Sequence, residues 1–142
     1  MKMAPDSDID DILTEHAGRE GALLPILHDI QARFGHVGEA VIPTIAQALN
    51  ISRAEVHGVI SFYHDFHTTP PRLPVIKLCR AESCQARGVE ALAAAFADET
   101  RVSIEPVYCL GLCSVGPNAW VGDQLYARLT PERLAALVEQ VA

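Results

Sequence analysis

The sequence predicts an α+β protein: a small N-terminal helical bundle followed by a small mixed sheet with two packed helices. In the first half, apolar residues recur every three or four positions, the period of an amphipathic helix. After Pro70-Pro71 the pattern changes to short alternating segments typical of strands. Two consecutive prolines cannot continue a helix. We therefore expect a helical lobe over residues 1–69 and a second domain over residues 70–142.

Four amphipathic segments fill the first domain. Gly18 and Gly35 are expected to end the first two helices, and Asn50 the third. Ser52 and Glu55 form a capping box, which predicts the start of the fourth helix. The predicted buried faces contain Ile9, Ile12 and Leu13; Leu23, Ile26, Leu27, Ile30 and Phe34; Ile42, Ile45, Ala46 and Leu49; and Val56, Val59, Ile60 and Tyr63.

The second domain has the order strand, helix, strand, hairpin, helix. The first strand is predicted over residues 73–78, and one helix opening near Cys84 follows it. The second strand runs toward Tyr108, and Pro106 within it favours a sheet edge. Gly122-Asp123 predicts a tight hairpin turn between residues 119–121 and 124–129. Thr130 and Pro131 are typical of the start of the last helix.

Composition narrows the classes of function. The 18 acidic and 11 basic residues give a net charge of −7, which argues against non-specific nucleic-acid binding. No segment approaches the ~18 apolar residues of a membrane span, and the first residues lack the apolar core of a signal peptide. We expect a cytoplasmic protein without direct membrane insertion, in a compartment where thiols stay reduced.

All four cysteines form two close pairs: Cys79 with Cys84, and Cys109 with Cys113. Two such loops match the four thiolates of a [2Fe–2S] cluster. They also suit one structural zinc ion, and in an oxidising compartment they would suit disulfides. Spacing alone leaves these interpretations open.

The predicted order places both cysteine pairs at one end of the sheet if the first two strands are neighbours. A helix N-terminus beside Cys84 is expected to favour its thiolate. Gly111 and Gly116 permit close backbone approach to the site. The sequence offers no Cys-x-x-Cys pair, phosphate-cradling loop or catalytic constellation, so we expect no catalytic residues in this chain.

The chain resembles the thioredoxin-like [2Fe–2S] ferredoxin subunits of NADH:quinone oxidoreductases, NAD-reducing hydrogenases and NAD-dependent formate dehydrogenases. The resemblance rests on the two cysteine pairs and on the segments Gly58-Val59-Ile60-Ser61-Phe62-Tyr63 and Val107-Tyr108-Cys109-Leu110-Gly111-Leu112-Cys113. It implies a thioredoxin-like ferredoxin domain in which Cys79, Cys84, Cys109 and Cys113 hold the cluster. It also implies a partner subunit that binds FMN and NAD(H) and exchanges electrons with that cluster.

Within the family, the chain is most similar to the gamma subunit of soluble molybdenum-containing formate dehydrogenases. Asp98-Glu99-Thr100-Arg101 leads almost directly into the second strand, whereas respiratory members usually carry a longer segment. This similarity implies a larger formate dehydrogenase subunit with the molybdenum cofactor in the same complex. The equivalent subunit of a respiratory oxidoreductase or NAD-reducing hydrogenase is the alternative, and a zinc-stabilised adaptor is the alternative from another class.

A docking surface is expected around residues 59–66 of the helical lobe, because Phe62 and Phe66 lie outside the predicted buried stripe. The opposing interpretation is that both aromatic side chains close the core of that lobe.

Overall fold

The computed structural model describes residues 6–142. The chain divides into two compact units, the first ending at Pro71 and the second beginning at Arg72. In the described residues, the first unit is built from helices and the second combines helices with a four-stranded mixed sheet. The predicted fold class, a helical bundle followed by a small mixed sheet with packed helices, is confirmed.

Four α-helices and one 3₁₀ turn form the described part of the first unit. The helices are α1 Asp6–Glu15, α2 Leu23–Phe34, α3 Ile42–Leu49 and α4 Arg53–Phe62, and the turn is Glu39–Val41. Their apolar faces meet in one core, which includes the fully buried side chains of Ile26, Leu27, Ile45 and Val56.

The ends of α2, α3 and α4 follow the local signals in the sequence, whereas α1 ends at Glu15, three residues before the predicted end at Gly18. Gly35 and Asn50 both adopt the left-handed conformation immediately after α2 and α3. The Glu55 backbone N–H donates to Ser52 Oγ at 3.1 Å, and the Ser52 backbone N–H donates to Glu55 Oε2 at 2.7 Å. This reciprocal capping box satisfies two backbone donors that have no partner inside α4.

The prediction that Tyr63 lies on the buried face of α4 is wrong. The helix ends at Phe62, and Tyr63 has an extended backbone, so its side chain leaves the helical stripe and is 42% exposed. Phe66 is buried instead and stacks against His28 with ring centroids 4.9 Å apart.

The sheet of the second unit has the strand order β2-β1-β3-β4. Strand β1 pairs in parallel with β2, whereas β1 with β3 and β3 with β4 are antiparallel. Pro106 lies on the edge strand β2, where its missing N–H is tolerated, as predicted. The strands are β1 Val75–Cys79, β2 Ser103–Val107, β3 Ala119–Val121 and β4 Gln124–Tyr126.

Some strand ends differ from the prediction. The first strand begins at Val75 rather than at Leu73, which is 39% exposed. The second ends at Val107, leaving Tyr108 69% exposed in the following loop. Apolar alternation does not mark these ends, because it continues beyond the last backbone hydrogen bond of the sheet.

Three helices, not the predicted two, accompany the sheet: α5 Glu82–Ala86, α6 Val89–Ala95 and α7 Pro131–Val141. The single helix expected after Cys84 is broken because Gly88 adopts a left-handed backbone with φ of +87°. Thr130 Oγ1 accepts a hydrogen bond from the Arg133 backbone N–H, which caps α7 as predicted. None of the helices in residues 6–142 combines the length and apolarity that crossing a bilayer requires.

Each unit has its own core, so we expect a fragment beginning at Arg72 to fold by itself. Its thermal unfolding, followed by circular dichroism, should be cooperative. Leu134→Ala in this fragment truncates a fully buried side chain of α7 and should cost about 2–5 kcal/mol of unfolding free energy. A non-cooperative fragment beside a cooperative full chain would contradict the independence of the two cores.

Candidate metal centre

The cysteines lie on two segments of the chain, one around the end of β1 and one after β2, at one end of the sheet. Cys79 is the last residue of β1, and Cys84 lies within α5. Cys109 follows the end of β2, and Cys113 opens a 3₁₀ turn, Cys113–Val115. Since Cys79 is the register partner of Val107 in parallel strands, the loops after β1 and β2 leave the sheet at the same end.

Each cysteine contacts the other member of its pair. The sulfurs of Cys109 and Cys113 are 3.9 Å apart, and the thiol of Cys84 hydrogen-bonds to the sulfur of Cys79. All four cysteines are free thiols. The hydrogen bond to Cys109 and the charge of Cys109 raise the pKa of Cys113, and charge on Cys79, in the other pair, adds to this rise.

The pairs differ in exposure to solvent. Cys79 and Cys84 are 2% and 1% exposed, whereas Cys109 and Cys113 are exposed. Leu110 and Leu112, the apolar neighbours of Cys109 and Cys113, are themselves only partly buried. The shielding is therefore one-sided, with the first pair in the core and the second at the surface.

Backbone donors favour the thiolate of Cys79. Burial alone would raise the pKa of Cys79, but hydrogen bonds from the backbone of Ala81, Cys109 and Leu110 and from the Cys84 thiol lower it overall. Cys109 and Gly111 both have a left-handed backbone, with φ of +73° and +76°. These two residues fold the second loop tightly, which brings its N–H groups to Cys79.

The expected effect of the helix N-terminus on Cys84 is wrong. Burial and then the hydrogen bond to Cys79 raise the pKa of the Cys84 thiol. Ala81, immediately before α5, directs its N–H to Cys79 instead. The backbone N–H at the start of α5 therefore stabilises the thiolate of Cys79 rather than that of Cys84.

Three further residues close the site, and two of them, Ser83 and Asn118, were not predicted from the sequence. Ser83 Oγ donates to the Cys113 carbonyl at 2.9 Å, which joins the two loops. Asn118 is 1% exposed, and its Nδ2 lies 3.7 Å from Cys84 Sγ and 2.8 Å from the Leu112 carbonyl oxygen. Gly116 packs directly against Cys84. Because an asparagine after Gly-Pro in the cysteine loop resembles an ordinary turn residue, the sequence does not indicate that Asn118 contacts Cys84.

The arrangement of thiols fits the ligands of a two-iron cluster, in which two thiolates bind each iron atom. Within residues 6–142, no three His, Cys, Asp or Glu side chains are placed to share one metal ion. Two thiol pairs surrounded by inward N–H groups match the ligands and hydrogen bonds that a [2Fe–2S] cluster uses.

Comparison with known proteins agrees with this chemistry. The thioredoxin-like [2Fe-2S] ferredoxin family matches residues 9–142. The NADP-reducing hydrogenase subunit HndA of Solidesulfovibrio fructosivorans is 27% identical over 86% of this chain and 78% of its own length. An NADH-quinone oxidoreductase subunit of Rhizobium meliloti (strain 1021) is 31% identical over 96% of this chain and 88% of its own length.

Among solved structures, the H₂-reduced NAD⁺-reducing [NiFe]-hydrogenase contains a similar region. Its TM-score is 0.69 at 27% identity, over 84% of this chain. The match spans only 22% of the hydrogenase chain, so this protein corresponds to about one-fifth of that larger polypeptide.

The fold and the paired thiols define a small electron-transfer protein of the ferredoxin class. The chain belongs to the thioredoxin-like [2Fe–2S] ferredoxin family. The expectations of a thioredoxin-like ferredoxin domain and of a [2Fe–2S] cofactor are thereby confirmed at the level of the family.

Replacing Gly116 by alanine tests how tightly the site is packed. A Cβ there would lie 3.1 Å from both Cys84 Sγ and Arg87 Cδ, although the backbone conformation of Gly116 is open to any residue. We expect Gly116→Ala to cost about 1–3 kcal/mol of unfolding free energy, as overpacking does, and to lower the iron content of the purified protein.

Gly58→Ala is the matched control, because nothing lies within 4 Å of its added Cβ. It should keep the iron content of the wild type. If Gly116→Ala also binds iron normally and unfolds like the wild type, the site is less tightly packed around Cys84 than the structure indicates.

Proposed function

We propose that Cys79, Cys84, Cys109 and Cys113 bind one [2Fe–2S] cluster. The observation that carries this proposal is the meeting of two thiol pairs at one end of the sheet, coupled across the loops. The cluster supplies one-electron chemistry when bound. The protein holds the thiolates, excludes water from Cys79 and Cys84, and leaves Cys109 and Cys113 near the surface.

We further propose that the chain is a non-catalytic electron-transfer subunit of an NAD(H)-linked complex in the cytoplasm. The relatives are named as subunits of an NADP-reducing hydrogenase and of an NADH-quinone oxidoreductase. Reduced nicotinamide gives up two electrons as a hydride, whereas a [2Fe–2S] centre takes one. A flavin handles both modes, so the partner is a flavoprotein subunit that binds FMN and NAD(H).

Among such complexes we favour a soluble NAD-dependent formate dehydrogenase that also has a larger molybdenum-containing subunit. The support is the short link between α6, ending at Ala95, and β2, beginning at Ser103. The equivalent subunit of a respiratory oxidoreductase or a hydrogenase is the second candidate, and the named relatives favour it. A partner subunit with bound molybdenum, identified after co-purification, would distinguish the two.

The two domains are proposed to separate cluster binding from docking. Residues 70–142 contain all four cysteines and form the proposed ferredoxin domain, while residues 1–69 form the helical lobe. In that lobe Phe62 is 74% exposed and packs edge-to-face on Tyr63, with ring centroids 5.1 Å apart. Phe66 belongs to the core, so the proposed docking surface is reduced to Phe62, Tyr63 and their exposed neighbours.

Serine substitution of each cysteine tests the ligand set. The wild type should contain about two iron and two sulfide per chain. Cys79→Ser, Cys84→Ser, Cys109→Ser and Cys113→Ser should each weaken or abolish the visible absorbance, because each removes one thiolate. Ser114→Ala, which changes an exposed neighbour of Cys113, serves as the control. Four single variants with unaltered spectra and iron content would refute the assignment.

Electron transfer through the partner can be followed by electron paramagnetic resonance. The isolated chain should oxidise neither NADH nor formate, whereas NADH should reduce its cluster once the flavoprotein is added. Reduction of the lone chain at catalytic rates, or a cluster that stays oxidised in a confirmed complex, would each contradict the proposal.

The same complex tests the docking surface. Phe62→Ser should weaken binding of the flavoprotein by roughly 30-fold, the effect of losing about 2 kcal/mol at a hot-spot aromatic residue. Leu125→Ser alters an apolar side chain of the β3–β4 hairpin that is 52% exposed, and should leave binding unchanged. Equal effects of the two variants would contradict a docking role for Phe62.

A further inference from the structure

We infer that Asn118 is a positioning residue for the cluster: it donates hydrogen bonds to the sulfur of Cys84 and raises the reduction potential. This inference rests on the proposed ligand set. Asn118 lies just before β3, at the end of the loop that carries Cys109 and Cys113. It is the buried polar residue in the core of the second unit's described residues.

Asn118 contacts three parts of the site. Its backbone carbonyl accepts a hydrogen bond from the Cys79 N–H at 2.9 Å. Its side-chain Nδ2 donates to the Leu112 carbonyl at 2.8 Å and to Cys84 Sγ at 3.7 Å. Its backbone N–H also hydrogen-bonds to Cys84 and opposes the rise in the pKa of that thiol. Asn118 therefore connects Cys79, at the end of β1, and Leu112, in the second cysteine loop, to the buried sulfur of Cys84.

The surroundings fix the orientation of the amide. Nδ2 faces two acceptors, the Leu112 carbonyl oxygen and Cys84 Sγ, and an amide oxygen in its place would have no donor to meet. Oδ1 is buried without a hydrogen-bond partner. An unpaired buried oxygen destabilises a fold, so packing alone favours leucine here. The donation from Nδ2 is what distinguishes asparagine from leucine at this position.

Donation to a cluster sulfur favours the reduced state. Reduction adds negative charge that spreads onto the ligand sulfurs, and N–H donors stabilise that charge. Cys84 is 1% exposed, so water cannot replace a lost donor there. Removing Nδ2 should therefore shift the reduction potential to a lower value while the four thiolates remain in place.

Two substitutions separate donation from packing. Asn118→Leu preserves most of the volume, and Asn118→Ala leaves a cavity, but both remove the side-chain donor and keep the backbone N–H. The full chain is purified with its cluster, and the potential is measured by redox titration with paramagnetic resonance detection. Both variants should shift the oxidised–reduced equilibrium about tenfold toward the oxidised form, which is about 59 mV lower for one electron.

Val102→Ala is the matched control. It truncates another buried side chain of the same core, beside the start of β2. Four residues of strand, about 13 Å at ~3.3 Å each, separate that end of the sheet from the end that carries Cys79. The control should destabilise the unit and leave the potential unchanged.

The measured potentials and the folding of the apo variants distinguish donation from packing. Equal shifts in both variants with an unchanged control support donation. Unchanged potentials, a shift in Asn118→Ala alone, an equal shift in Val102→Ala, loss of the cluster from both variants, or unfolding of both apo variants would overturn it. Failure of the ligand set is seen separately, because Cys84→Ser would then retain the normal spectrum.

Discussion

The parallel pairing of β1 with β2 is the constraint on which the site depends. Parallel strands cannot be joined by a tight turn, so the chain must cross back over the sheet between them. Helices α5 and α6 make this crossover, and both cysteine loops consequently leave the same end of the sheet. Antiparallel pairing of these strands would have placed Cys79 and Cys109 at opposite ends, too far apart for one cluster.

This arrangement also explains why the two pairs differ in environment. Cys79 ends a central strand and Cys84 lies in the helix that packs on it, so both join the core. Cys109 and Cys113 follow an edge strand, and their loop is open to solvent. A carrier benefits from both features, because burial with N–H donors controls the potential while an exposed side shortens the path to a partner. The fold produces the asymmetry from strand order alone.

The sequence predicted most of the local structure, because residues that act through their own backbone leave a local signature. Gly35, Asn50 and the Ser52–Glu55 box each end or start a helix as expected. Gly88 was missed because the apolar stripe continues across it, and the break depends on how α6 turns to reach the sheet. Tyr63 was misplaced because a helical stripe does not show where the last turn ends.

The same distinction between local signatures and tertiary contacts applies to the candidate site. The common end of the sheet for both cysteine pairs could be argued from strand order, whereas the four cysteines as cluster ligands were implied by the family resemblance. The opposite pKa shifts of the Cys79 and Cys84 thiols could not be predicted from the sequence. They depend on burial and on the backbone N–H groups that the left-handed Cys109 turns toward Cys79. Asn118 was invisible for a related reason: its role depends on contacts with Cys79, Cys84 and Leu112, which come together only in the folded sheet. The residues proposed to hold the cluster are thus marked by their thiol side chains, whereas the residue proposed to tune it is marked only by its burial.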